Sequence, residues 1–286
     1  MSNPLKKSGL KNANESTVCR HSDNFQYSLS NLTLQAKRAL FLMLAQIDNP
    51  KEIPKDDELI FEIKASDFSK LCGLSDKVNI YGTLESAARD LSKSFIYEDV
   101  SKGSLKRTMQ TNITSKVIYH YSEGYCTIKI NRDAYPYFFA LSKSFTRNNL
   151  QEVLKIPEKT LFNLHQVIMK RYSKSNINIA YKTSFIIGIE ELKDEMWLFN
   201  TDNDGKNKVY KYPRYADLAK LLNSLIKGLK ENTSFKIVSF EIAEKKGRKA
   251  THLKISYQHI NDIRRQEEKK LNQELNEIEN NLYKLN

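Results

Sequence analysis

Apolar positions follow two rhythms along this chain, and each half runs through them in the same order. Between Thr33 and Ile47, Leu40, Phe41, Leu44 and Ile47 share one helical face, and their neighbours are apolar too, so the spacing predicts a deeply buried helix. LIFEIKA at 59–65 alternates with period two and predicts a strand. SDFSKLCGL predicts a short helix, with Ser66 as N-cap and Gly73 as the stop. Over 79–95, Ile80, Leu84, Ala87, Ala88, Leu91 and Phe95 form one face of a further helix. Strands are expected at 96–100, 115–121 and 125–131. Helix, strand, helix–turn–helix and a basic hairpin make a winged helix. The connection SKGSLKRTMQT, with Lys102, Lys106 and Arg107, supplies the basic hairpin.

The second half repeats this order. TLFNLHQVIMKRY predicts a helix, FIIGI at 185–189 a strand, and EELKDEMW a short helix. NTDNDGKNK is polar and turn-rich. YADLAKLLNSLIKGLKEN predicts a long helix, and FKIVSFEIA and ATHLKISYQ are the arms of a hairpin. Phe61, Ile63, Ala65, Asp67 and Phe68 match Phe185, Ile187, Ile189, Glu191 and Leu192 in spacing; Tyr81, Leu84 and Leu91 match Tyr215, Leu218 and Leu225. The same elements in the same order twice argue for duplication. The expected fold is α+β, with two tandem winged helix-turn-helix domains. They are placed at 24–144 and 157–261, with a flexible segment at 1–23, a partly helical linker at 145–156 and a charged helical tail at 262–286. Leu271, Leu275, Ile278 and Leu282 form a stripe on that tail, which packs on the body, pairs with another chain or frays.

Charge narrows the partners. The chain has 286 residues and a formal net charge of +12, so its partners are expected to be anionic: nucleic acid or an acidic membrane surface. A hydrophobic content of 40% is enough for packed cores. The longest apolar run, at 39–45, is too short to span a bilayer, and the N-terminus lacks a signal peptide's apolar segment. Cys19, Cys72 and Cys126 are scattered without a CxxC pair, which argues against a zinc site and a disulfide framework and fits a reducing cytoplasm.

Catalytic patterns are missing. His21, His120, His165, His252 and His259 are isolated, so there is no His-x-His pair for metal-assisted strand nicking. The sequence holds no GxxxxGK[ST] phosphate loop and no GxSxG elbow. DND at 202–204 lacks the glutamate that would close a calcium loop. No catalytic residue, metal or cofactor is expected.

A DNA-binding reading has more support. In the helix over 215–230, Leu218, Leu221, Leu222, Leu225, Ile226 and Leu229 face the core, and Asp217, Lys220, Ser224 and Lys227 form a polar stripe opposite. Lys208, Lys211, Tyr212, Arg214 and Tyr215 crowd its start, the end that enters the major groove in helix-turn-helix proteins. Arg or Lys there can pair with guanine, and Asp can accept from cytosine. The hairpin that follows, EIAEKKGRKATHLKIS, puts Lys245, Lys246, Arg248 and Lys249 around Gly247 without an acid among them. Four like charges repel, and DNA phosphate would relieve them. In the first half, Asn79 and Thr83 at a helix start, with Arg89 and Lys93 on its polar side, are weaker candidates for base or phosphate contact, and Glu85 and Asp90 dilute their charge.

YADLAKLLNSLIKGLKENTSFKIVSFEIAEKKGRKATHLKISY resembles the carboxy-terminal winged helix of the theta-type plasmid replication initiators, with a Tyr-rich helix start, a long helix, and a wing of the form Lys-x-Gly-Arg-Lys between two strands. YSLSNLTLQAKRALFLMLAQID is similar to that family's opening helix, and the resemblance covers residues 24–260. One departure is that the family opens its second domain with an Arg-Leu-Tyr helix, where this chain reads TLFNLHQVIMKRY, which bears on the contacts between domains. The resemblance implies binding of Arg214, Lys220, Lys245, Lys246, Arg248 and Lys249 to double-stranded origin repeats (iterons). It further implies opening of adjacent AT-rich DNA and contacts with the host's helicase and initiator. Monomers in equilibrium with dimers are implied as well, the dimers repressing the gene and joining through the amino-terminal domain. A tandem winged-helix transcriptional regulator would share the same DNA chemistry. A rolling-circle nicking enzyme lacks its histidine pair, and a membrane-surface protein lacks a helix with opposed basic and aromatic faces.

Overall fold

The computed structural model describes residues 10–11, 13, 17–48, 53, 59–75, 79–100, 107–141, 145–175, 183–201, 207–264, 268 and 273. Strand β1 (Val18–Ser22) leads through a short 3-10 turn into α1 (Gln26–Asn31) and α2 (Leu34–Leu44). Thr33 caps α2 by accepting the Ala36 amide. Every residue of α2 from Ala36 to Leu44 is buried, Lys37 and Arg38 included, so this helix forms the centre of the first half.

In β2 (Ile60–Lys64) the alternation holds, with Phe61 and Ile63 inward. α3 (Ala65–Cys72) begins before the expected Ser66 cap; Lys64 occupies the cap position and makes no side-chain bond there. Gly73 ends the helix in the left-handed conformation, φ 62°, which glycine adopts without a Cβ clash. α4 (Ile80–Ser92) buries Leu84, Ala87, Ala88 and Leu91. Next come a hairpin of β3 (Phe95–Asp99) and β4 (Thr108–Asn112), and then β5 (Thr114–His120) and β6 (Tyr125–Ile130).

The sheet order β2-β6-β5 makes this a winged helix, because β6 lies between the strand that precedes the helix pair and its own hairpin partner. It also corrects the expected wing. β3 and β4 form a separate two-stranded sheet, an insertion between α4 and β5. The wing of the first half is the turn Tyr121–Gly124, which carries Glu123 and no cation. The basic connection sits on the inserted hairpin, and Lys102 and Lys106 lie outside the described residues.

The expected linker is part of the packed body. β7 (Phe145–Asn149) pairs antiparallel with β1, Val18 opposite Asn149 and Ser22 opposite Phe145, so residues 18–22 are not a flexible lead-in. α5 (Leu150–Lys155) is helical as expected, and it buries Leu150, Val153 and Leu154. α6 (Lys159–Ser175), β8 (Ser184–Gly188) and α7 (Ile189–Glu195) follow. The ends of the polar stretch are strands, β9 (Phe199–Thr201) paired with β10 (Lys208–Tyr210) in a second insertion; residues 202–206, the DND motif among them, lie outside the described residues. α8 (Tyr215–Asn232) and the long hairpin β11 (Phe235–Lys246) and β12 (Lys249–His259) complete the second winged helix, in sheet order β11-β12-β8.

Duplication shows in strand register. Phe61 faces Ile128 and Ile63 faces Cys126 in the first sheet, and Phe185 faces Ile255 and Ile187 faces Leu253 in the second. The halves are joined by buried polar contacts. Lys37 Nζ donates to Asn163 Oδ1, Asn163 Nδ2 donates to the Met196 carbonyl at 2.8 Å, and Arg38 donates to the Ile156 carbonyl at 3.1 Å. Burial pushes the Lys37 ammonium well below the usual lysine range. Tyr27 packs on Trp197 and Phe199 across the same seam. Of the charged tail, Asp262 is buried against the Tyr172 hydroxyl, and nearly all the rest lies outside the described residues.

Candidate nucleic-acid interface

The amphipathic spacing of α8 sets its orientation. Leu218, Leu222, Leu225 and Leu229 are buried, so Lys220, Asn223, Ser224 and Lys227 stand on the solvent side. Asn223 joins the expected stripe of Lys220, Ser224 and Lys227, one helical step from Lys220. Asn is a side chain that can pair bidentately with adenine. Arg214 holds the N-cap position without capping the helix; its Nε donates instead to Asp217 Oδ2 at 2.7 Å. The Arg214 side chain is 80% exposed, so it is presented to solvent while being steadied by a carboxylate one turn along. Lys211 is exposed beside it, while Tyr212 and Tyr215 are half-buried and pack on the core.

Lys208 is placed elsewhere. Its ammonium lies 2.8 Å from Asp194 Oδ1 and sits over the rings of Phe199 and Tyr27, at 4.7 and 5.1 Å. It therefore packs at the seam between the halves.

The wing tip matches the expectation most directly. Lys245, Lys246, Arg248 and Lys249 are all exposed, and Gly247 turns the chain at φ 62° with nothing within 4 Å of a hypothetical Cβ. Lys246 stands opposite Lys249 across the hairpin, a like-charge pairing that opposes folding. Lower in the stem the charges are paired: Glu244 with His252 at 2.9 Å and Glu241 with Lys254 at 3.1 Å. The tip thus carries cations alone, whereas in the stem acids and bases stand in pairs. A cleft of about 510 Å³ runs between the start of α8 and the base of the wing, lined by Lys193, Tyr210, Tyr212, Tyr215, Lys249 and His252 among others.

The first half offers less. Asn79 accepts the Gly82 amide at 2.9 Å, and the Thr83 hydroxyl donates to the Asn79 carbonyl at 2.8 Å, so both side chains are occupied in starting α4. Arg89 is paired with Glu85 on the same helix, while Lys93 and Arg107 are exposed. Tyr121 and Glu123 occupy the place that cations hold in the second wing.

Residues 17–169 match the family model described as initiator replication protein, WH1. The chain is 30% identical to the PI protein of Escherichia coli over 267 residues, 87% of this chain and 85% of that protein. It also aligns with the crystal structure of a Pi initiator protein in complex with iteron DNA, with a TM-score of 0.73 and 30% identity over 85% of this chain and 98% of that one.

Proposed function

The chain belongs to the family of initiator replication proteins, non-enzymatic DNA-binding proteins, and on that premise we propose that it starts plasmid replication by binding the iterons of its own origin. The observation that carries this reading is the pairing of a solvent-facing polar stripe on α8 with an all-basic wing tip in the same winged helix. Helix and wing sit side by side, as groove reading and backbone contact require. The likeness to an initiator crystallised on iteron DNA supports the same assignment. In this reading α8 carries base recognition through Arg214, Asp217, Lys220 and Lys227, and Lys245, Lys246, Arg248 and Lys249 meet phosphate.

The finer steps belong to the same proposal. Origin opening and loading of the host helicase follow iteron binding by the monomer, and a dimer represses the initiator's own gene. The dimer contact is assigned to the first half, where β5 is the outer strand of its sheet and Ile118 is 39% exposed. Ile118→Asp in the full chain should abolish the dimer and leave iteron binding intact.

The deciding experiment is to clone the gene with its upstream DNA into a vector that cannot replicate. Autonomous replication supports the initiator, while repression of the upstream promoter without replication supports the transcriptional regulator. Binding of the purified protein should need no ATP and should weaken with a log–log salt slope of roughly −5 or steeper, since each neutralised phosphate contributes about −0.9.

A further inference from the structure

In the first half the two helices of the helix-turn-helix are joined by residues 73–79 and the left-handed Gly73. In the second half the hairpin β9–β10 stands between α7 and α8, so no tight turn sets where α8 begins. Two hydrogen bonds bridge the insertion, and a third ties its start to the end of α7. The Leu198 amide donates to the Lys193 carbonyl at 2.7 Å, the Lys211 amide donates to the Leu198 carbonyl at 2.9 Å, and Lys193 Nζ donates to the Tyr212 carbonyl at 2.8 Å. They run from the end of α7, across the foot of the hairpin, to the segment that launches α8.

Lys193 is at both ends of that chain of bonds. It is only 5% exposed, and its ammonium lies 5.7 Å from the centre of the Tyr210 ring. The carbonyl it holds belongs to a residue with φ 56°, a left-handed conformation that a tyrosine keeps only when its surroundings enforce it. Pro213 follows with its fixed φ, and Arg214 opens α8. A change at Tyr212 would therefore swing the helix start as a unit.

We infer that Lys193 is a positioning residue for DNA recognition: it holds the Tyr212 carbonyl so that the left-handed turn aims α8, and it touches no DNA itself. The inference rests on the reading of α8 as the groove-entering helix. It goes beyond that reading by giving a buried lysine a share in specificity without a share in electrostatic attraction.

The test uses the full chain carrying Lys193→Met, which keeps an unbranched side chain of similar length at this buried position and removes the donor and its charge. Hydrogen exchange without DNA should quicken by about tenfold across 211–217, because a held carbonyl has lost its partner. Affinity for the repeat duplex should fall about tenfold and affinity for a scrambled duplex less than about twofold, with the salt slope unchanged. Lys193→Arg, which retains a donor, should keep most of the discrimination. Lys193→Gln gives a graded form of the same result if Lys193→Met does not fold. A slope flattened by about one unit would show that Lys193 meets phosphate and would overturn the inference. Unchanged exchange over 211–217, or equal losses on both duplexes, would overturn it as well. A wild-type chain that does not distinguish the duplexes counts against base reading by α8, whereas unchanged exchange counts against the latch, so the two failures separate.

Discussion

Arg214 Nε donates to Asp217 Oδ2 across the first turn of α8, at 2.7 Å. The bond restrains an exposed guanidinium and leaves its remaining N–H groups facing outward, so the arginine is ordered before it meets a base. Arg214→Ala should weaken binding to the cognate repeat about tenfold or more and to scrambled DNA much less. Asp217→Asn keeps the helix and loosens the arginine, so it should cost part of the same discrimination. Paired titrations of both variants on the two duplexes check this, and equal losses on both would remove Arg214 from base reading.

Asn79 accepts the Gly82 amide and so caps α4. Asn79→Ala should lower stability by about 1 kcal/mol, seen in thermal melts, with binding per folded molecule unchanged. Asn79→Asp keeps an acceptor for the amide and should restore the melting temperature. A selective loss on the repeat duplex with an unchanged melt would return Asn79 to the interface.

Much of the fold was legible where a single face is buried. Phe61 and Ile63 alternate into the core, Leu218 and Leu225 fall on the buried side of α8, and Gly73 and Gly247 take the positive φ that their positions suggested. Pairings distant in sequence were not legible. β1 meets β7 through polar residues such as Arg20 and Arg147, with nothing local to announce it. The inserted hairpin β3–β4 mimics a wing in sequence because the connection between its strands is basic like the tip of the second one. Only the partner of β6 distinguishes the two, and that is a long-range fact. At the candidate site, the tip cations were visible because a glycine and four charges are contiguous. Asn79 was harder, since helix capping and base reading call for the same side chain. The latch at Lys193 depends on an insertion whose strands are three residues each, too short for periodicity to register.

Glu152 offers a pH handle on the body of the protein. Its Oε1 lies 2.8 Å from His165 Nε2, and its Oε2 accepts from the Ser234 amide at 3.1 Å. Burial alone would raise this carboxyl, but the His165 and Ser234 hydrogen bonds prevail and hold it at about 2 against an ordinary 4.5. A depressed carboxyl stabilises the fold above its unfolded pKa and loses that contribution as pH falls through the folded one. Stability from Glu152, on the order of 3 kcal/mol, should therefore be complete above about pH 4.5 and disappear towards about pH 2. Glu152→Gln should be less stable at neutral pH and should lose this part of the acid dependence. Melts of both proteins across that window are the measurement, and parallel curves would show that other carboxylates govern acid unfolding.

The wing tip should act through charge alone. Lys245, Lys246, Arg248 and Lys249 are exposed on a two-residue turn, and Lys246 faces Lys249 across it. Phosphate is the simplest partner for such a tip, and phosphate carries no sequence information. Arg248→Ala or Lys249→Ala should weaken binding to repeat and scrambled duplexes by similar factors, and each should flatten the salt slope by about one unit. Lys249→Ala also relieves the repulsion with Lys246 in the free protein, so this variant should melt no lower than the wild type. Titrations at several salt concentrations, with melts of the same samples, separate the two effects. A loss confined to the repeat for Arg248→Ala would mean that the wing reads the minor groove, and the division of labour between helix and wing would have to be redrawn.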